Sequence, residues 1–225
     1  MSKKEFHYIY SNSGSEYSWK FEIQSKIGRL FFNYQPPIKN GYCNLGCGYR
    51  FLKNYVNADF FQFNKVRTIL NKSKLKSRLD WEIDLRYKIN CKDNFFHGIF
   101  AEHVFEHLTI FHGLEALKEL RRILKEGAIL RISVPDLKKY VDFYCKKKVD
   151  KKFDNWSALR AEALWSLNHN FGHHSVYDFN LLKDLLERAG FRKIKKRQFN
   201  QSDDKKLKID DIGRKWESLY VEAVK

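Results

Sequence analysis

The segment Glu102-His103-Val104-Phe105-Glu106-His107-Leu108 holds the densest run of side chains able to move protons. Histidine changes charge near neutral pH, so His103 and His107 are natural general bases. The same residues satisfy the H-x-x-E-H pattern of inverted zinc peptidases, with two histidines as ligands and Glu106 as base. That chemistry needs the pattern inside a long helix with a remote acidic ligand. Here it begins where a strand ends, and the peptidase reading is set aside. His169, His173 and His174 also have ligand-like spacing, but such spacing is common and no metal is expected. Asp136 follows an apolar run and could serve as a base or simply cap a helix.

A second kind of chemistry is suggested by Gly41 to Arg50, a short apolar run that stops at Gly46 and Gly48. Glycines there let a chain leaving a buried strand turn tightly and offer bare backbone amides to a nucleotide-like ligand. The full dinucleotide fingerprint wants a third glycine, and Phe51 stands in its place, so an ordinary turn reads the same way. Asp59 decides between them. It ends a second β-rich run, Tyr55 to Asp59, thirteen residues after Gly46, where an acid in an open α/β sheet accepts both hydroxyls of a ribose.

These residues need a frame to hold them. Leu79 to Leu85 alternates as a third strand, Phe95 to Ala101 as a fourth and Ile129 to Val134 as a fifth. Between the last two, Leu114, Leu117, Leu120 and Leu124 mark the apolar face of a helix over 111–125 that Gly127 stops. Further helices are expected from Pro135-Asp136 to Tyr144, from Phe153 to Leu167 and from Leu181 to Ala189, the last ended by Gly190. A histidine-rich loop spans Asn168 to Tyr177. Phe191 to Phe199 and Trp216 to Val224 read as a final antiparallel pair. Alternation of strand and helix implies a parallel sheet covered on both faces, with ligands at the carboxyl ends of its strands. Gly46, Asp59, Asp84, Glu102 and Asp136 all fall there. Asn64 to Arg78 is expected to form a connecting helix or loop. Residues 1–40 form an N-terminal unit whose Trp19, Ile23, Ile27, Leu30 and Phe31 recur at helical spacing up to Pro36-Pro37. That helix either lies over the ligand mouth or packs outside as an arm, and the arm is preferred.

The 225 residues suffice for one core. No run approaches the ~20 apolar residues of a membrane span, no signal peptide is seen, and a cytoplasmic protein is expected. Four scattered cysteines without a Cys-x-x-Cys pair indicate neither a zinc ribbon nor a disulfide framework. The net charge of +16 would attract nucleic acid, anionic membrane surfaces or phosphorylated substrates. Codon composition explains it equally well, since no stacking aromatics or nucleic-acid module signatures accompany the basic residues.

Taken together, Asn44-Leu-Gly-Cys-Gly48, His103-Val-Phe-Glu-His-Leu108, Arg122-Ile-Leu-Lys125, Ser133-Val-Pro-Asp-Leu137, Gly172-His173 with Tyr177-Asp178, and Ala189-Gly-Phe191 resemble class I S-adenosylmethionine-dependent methyltransferases of the small bacterial type 11-like group. The resemblance covers roughly residues 41–223. It implies a Rossmann-like three-layer α/β/α sandwich, with a seven-stranded, mostly parallel sheet and an antiparallel C-terminal strand, over 41–225. It also implies S-adenosylmethionine as cofactor and S-adenosylhomocysteine as product. Asn44, Leu45, Gly46, Cys47 and Gly48 would then hold the methionine part, Asp59 with Phe60 the ribose, and Asp84 with Leu85 the adenine. Ala101, Glu102 and His103 would form the floor beside the methyl. Glu126 and Ala128 depart from the group's usual Pro and second Gly.

A sulfonium methyl is already activated, so the protein must mainly align an acceptor and remove its proton. His103, His173 and Asp136 are the catalytic candidates, and His107, His174 and Tyr177 the substrate contacts. By family analogy the acceptor is a small molecule or glycan, such as an anionic surface-polysaccharide precursor. Two alternatives stay open at this stage: an RNA methyltransferase, or a non-catalytic Rossmann-like subunit that binds a partner.

Overall fold

Strands form where Val, Ile, Phe and Cys cluster in short runs bounded by glycine or asparagine, and here both faces of those strands are covered. The computed structural model describes residues 17–62, 79–156 and 159–225. Their seven strands are β1 (Tyr42–Leu45), β2 (Val56–Asp59), β3 (Trp81–Glu82), β4 (Phe96–Glu102), β5 (Leu124–Pro135), β6 (Arg192–Arg197) and β7 (Ser218–Val224). They make one sheet in the order β3-β2-β1-β4-β5-β7-β6. The first five strands pair in parallel, and β7 runs antiparallel to both of its neighbours. Cys43, Val56 and Ile99 stand in register across the centre and are almost wholly buried.

Among the described residues five α-helices accompany the strands: α1 (Trp19–Phe31), α2 (Ile110–Ile123), α3 (Leu137–Tyr144), α4 (Arg160–His169) and α5 (Phe179–Arg188). Thr109, Asp136 and Asp178 cap α2, α3 and α5 by accepting a backbone N–H. On α2 the buried stripe is Gly113, Ala116, Leu117, Leu120 and Ile123. A satellite core forms around Tyr140, Phe143, Phe153, Ala163 and Leu167, between α3 and α4.

Three expectations are corrected. Gly127 does not stop α2. Leu124 both ends that helix and opens β5 by pairing with Phe96, and Gly127 lies inside the strand at φ 75°. The helix expected over Phe153 to Leu167 is two pieces, a 3-10 turn at Lys151–Trp156 and then α4. The third strand shrinks to Trp81–Glu82, because Asp84 and Arg86 turn inward to pair with each other. The apolar stripe of α1 faces outward: Trp19 is 68% and Leu30 67% exposed, whereas Ser25 and Gly28 are buried. Gly28 presses on Phe61 so closely that a Cβ there would stand 2.1 Å from the ring. The connection expected over Asn64 to Arg78 lies outside the described residues.

Candidate active site

At the carboxyl end of β1 the backbone turns through Gly46 and Gly48, both left-handed, at φ 63° and 51°. A Cβ on Gly46 would come within 2.3 Å of Val104 Cγ2, so the turn packs directly on the segment that follows β4. A Cβ on Gly48 would meet nothing within 4 Å, because it faces open space. Asp59, at the end of β2, accepts the Gly48 N–H and the Phe60 N–H, each at 2.7 Å. Burial pushes its carboxyl up, while those two amides and the His107 charge pull it down.

A cavity of about 560 Å³ opens on this turn, a size suited to a nucleotide-like ligand. Leu45, Gly46, Gly48, Asp59, Phe60, Asp84, Leu85, His103, His107 and His174 line it. The remaining expected cofactor residues, Asn44, Cys47, Ala101 and Glu102, stand behind that wall. Asn44 donates to the Arg50 carbonyl at 2.8 Å and to Asn57 Oδ1 at 3.0 Å, bracing the turn from behind. Burial, and after it the Asp59 charge, pushes the Cys47 thiol up to about 12, which leaves it no nucleophile at neutral pH. Ala101 is wholly buried in β4, and Glu102 pairs with Arg50 at 2.7 Å and accepts the Asp211 N–H.

The Asp84 carboxylate is already engaged. It takes a two-pronged contact from Arg86, with Nη2 at 2.7 Å and Nε at 3.0 Å, and a hydrogen bond from Ser25 Oγ at 2.6 Å. Arg86 also reaches Glu22 of α1 and lies under the Tyr17 and Phe21 rings. Phe21 in turn stacks on Phe60 at 4.0 Å, so Tyr17 and Phe21 form one side of the cavity. Nothing in the sequence singles out these contacts, because the polar residues that make them interrupt the apolar stripe of α1.

His103 occupies a left-handed backbone position, φ 53°, which is costly for a residue with a Cβ and common at functional sites. The single hydroxyl hydrogen of Ser218 goes to the Arg214 carbonyl at 2.7 Å. The 2.7 Å contact between Ser218 Oγ and His103 Nε2 therefore takes its hydrogen from the ring. His103 Nδ1 lies 3.0 Å from Glu106 Oε1, an ion-pair distance with poor hydrogen-bond direction. Glu106 is 1% exposed, and neither of its oxygens receives a well-aligned donor among the described residues. Burial pushes the Glu106 carboxyl up, but His103 and His107 outweigh burial and hold it below the usual range.

Two further histidines join them. His107 Nδ1 stands 3.3 Å from the Gly172 carbonyl and His173 Nδ1 2.8 Å from the Leu167 carbonyl. A carbonyl only accepts, so each Nδ1 carries the proton and each Nε2 is left with its lone pair. Burial foremost holds the His173 ring below the usual histidine range. Behind this group lies a second cavity of about 420 Å³, which shares His103 and His107 with the first. Tyr140, Trp156 and Trp216 give it an aromatic wall, and Arg214 and Glu217 border it.

Asp136 caps α3 through the Lys138 N–H and lies 3.7 Å from Lys196, and Tyr177 is buried with its hydroxyl on the Phe105 carbonyl. Neither lines either of these two cavities. His174 packs its ring 4.5 Å from Tyr17.

A family model described as a methyltransferase domain matches residues 24–196, most of the chain. The chain belongs to that methyltransferase family. Among solved structures, the methyltransferase is similar to a SAM-dependent methyltransferase from Archaeoglobus fulgidus, with 17% identity and a TM-score of 0.50 over 94% of this chain and 95% of that one. It is also similar to a SAM-dependent methyltransferase, possible histamine N-methyltransferase, from Thermotoga maritima, with 15% identity and a TM-score of 0.51 over 91% and 89%. At these identities the likeness is one of fold. Among curated proteins none matches the chain. The expected Rossmann-like sandwich is present, and both of these neighbours are described as dependent on S-adenosylmethionine, the cofactor expected for this methyltransferase. Its first cavity fits that cofactor: open space over a bare glycine, an acceptor carboxylate at a strand end, and apolar faces from Phe60 and Leu85. Bound there, the cofactor supplies a methyl already activated by a sulfonium. No helix among the described residues is long and apolar enough to cross a membrane.

Proposed function

We propose that this methyltransferase transfers its methyl group across the wall shared by the two cavities, to a hydroxyl of a small molecule or glycan held in the second. The observation that carries this reading is the double exposure of His103 and His107, which face both spaces. In the first cavity Asp59 accepts the ribose hydroxyls, and Phe60 and Leu85 cover the adenine. Asp84 acts through what it holds, anchoring Arg86 and with it α1, which covers the mouth as a lid. In the second cavity Trp156, Trp216 and Tyr140 offer flat apolar faces of the kind that sugar rings pack against, with Arg214 placed for a negatively charged substituent.

The left-handed turn at His103 fixes its ring between Ser218 and Glu106, so it shapes the passage rather than swinging through it. An acceptor hydroxyl arriving from the second cavity meets Glu106, His107 and His173, the groups on that wall able to take a proton. Fractionated lysate incubated with methyl-labelled cofactor tests the acceptor class. Label in soluble glycan or small molecules, reduced tenfold or more by Trp156→Ala, is expected. Label confined to RNA or protein would refute the acceptor assignment.

A further inference from the structure

Glu106, His107 and His173 each place one ligating atom within 4.8 Å of the other two. We propose that they form a binding site for a divalent first-row transition ion of the zinc class, set in the wall between the two cavities. The ion's binding stands on this geometry, whereas its role in activating an acceptor rests on the function proposed above.

Three observations converge. First, two imidazoles and one carboxylate are a donor set that suits zinc and its neighbours, and magnesium and calcium prefer all-oxygen shells. Second, both rings are already held as ligands are held elsewhere: each Nδ1 is tied to a backbone carbonyl, which fixes the tautomer and leaves Nε2 to bind. The rings stand at 76° to each other with centroids 5.0 Å apart, so their lone pairs can converge without stacking. Third, Glu106 is a wholly buried carboxylate whose two oxygens lack well-aligned donors. Its nearest partner is the poorly directed His103 Nδ1 at 3.0 Å, and a cation would hold so deeply buried a carboxylate far better.

Ligand atoms joined to one zinc by bonds of about 2.0 Å at tetrahedral angles stand roughly 3.3 Å apart, so binding draws the three inward by at most about 1.5 Å. Three protein ligands leave a coordination position open. That position would take the acceptor's oxygen, since the site lies on the second cavity's wall. A hydroxyl bound to zinc ionises far more readily than a free one. Its proton passes to water, an oxygen lone pair forms the new bond to the methyl carbon, and the carbon–sulfur pair stays on sulfur as a neutral thioether.

The test uses the whole chain, freed of any purification tag and stripped with a chelator. Co²⁺ titration followed by visible absorption, with Zn²⁺ as competitor and metal content measured by plasma emission, should give one ion per chain. His173→Asn and, separately, His107→Gln should each weaken uptake tenfold or more. His169→Asn, on the exposed end of α4, should leave it unchanged. Calorimetric uptake of S-adenosylhomocysteine by each variant shows that the fold is intact. A wild-type chain that takes up S-adenosylhomocysteine but no stoichiometric metal would overturn the ion alone. Stoichiometric metal without any S-adenosylhomocysteine uptake would leave the ion standing and overturn the cavity assignment. Metal uptake unaltered in both histidine variants would also overturn the site.

Discussion

Replacing Gly46 and Gly48 separately by alanine resolves the glycine turn into a packing element and a ligand-facing element. Both positions are left-handed, at φ 63° and 51°, so alanine costs each roughly 1–2 kcal/mol in backbone strain. Their surroundings differ. At Gly46 the new Cβ would stand 2.3 Å from Val104 Cγ2, over 1 Å inside the ~3.5 Å contact distance, and overpacking adds about 1–3 kcal/mol. At Gly48 it would meet nothing within 4 Å. Gly46→Ala should therefore lose about 2–5 kcal/mol of stability and Gly48→Ala about 1–2. For a chain of this length, the difference of about 1–3 kcal/mol separates their melting temperatures by roughly 2–12 °C. Urea unfolding with unchanged m-values gives the stabilities, and calorimetric titration with S-adenosylhomocysteine gives the affinities. Because Gly48 faces the cavity, Gly48→Ala should bind at least tenfold more weakly while remaining the more stable of the two. Equal destabilisation, or normal binding by Gly48→Ala, would refute the division of the turn into these two parts.

Asp59→Ala should weaken S-adenosylhomocysteine binding tenfold or more, on the order of the ~1.4 kcal/mol of a charge-assisted hydrogen bond, as read by calorimetry. Arg86→Met leaves Asp84 buried with only the Ser25 hydroxyl and the backbone N–H of residue 86 as partners and no balancing charge, so stability should fall by about 3–5 kcal/mol. Trypsin should then cut α1 at Lys20, Lys26 or Arg29 many times faster than in the parent, and an unchanged digestion pattern would show that Arg86 does not hold the helix down. Glu119 is pushed up by burial, but the Arg122 hydrogen bond and charge and the Ile89 N–H outweigh burial and hold it below its ordinary value of 4.5. The unfolded chain thus binds the proton more readily, and this contribution to stability is fully present above pH 4.5 and is lost as pH falls through the lower folded value. Glu119→Gln should lower the urea midpoint near pH 7 and converge on the parent in acid, and a constant gap at all pH values would contradict that sign.

The parts of the fold that rest on local patterns were legible in the sequence. The turn at Gly46 and Gly48, the strand ending in Asp59 and the helix that stops before Gly190 all depend on residues close together in the chain. The orientation of α1 was not, because periodicity reveals a stripe but not the side it faces. Ser25, Gly28 and Glu22 turn inward there because Asp84, Phe61 and Arg86 wait for them, and those contacts are tertiary. The grouping at Glu106 was illegible for a related reason. The H-x-x-E-H pattern and the late histidines lie far apart in the chain, and the structure takes Glu106 and His107 from the first and His173 from the second. Asp84 shows the converse: its position at the ligand edge was readable, but its engagement by Arg86, two residues away, was not.

The place of β7 between β5 and β6 bears on how the protein is made. Until residues 218–224 have left the ribosome, the Arg192–Arg197 strand has no ladder partner, and the flank of β5 lies open as a template for pairing with other chains. Arg192, Lys193, Lys195, Lys196 and Arg197 make that waiting strand strongly cationic. Mutual repulsion between nascent chains would then discourage misassembly during synthesis, a use for the positive charge that involves no ligand.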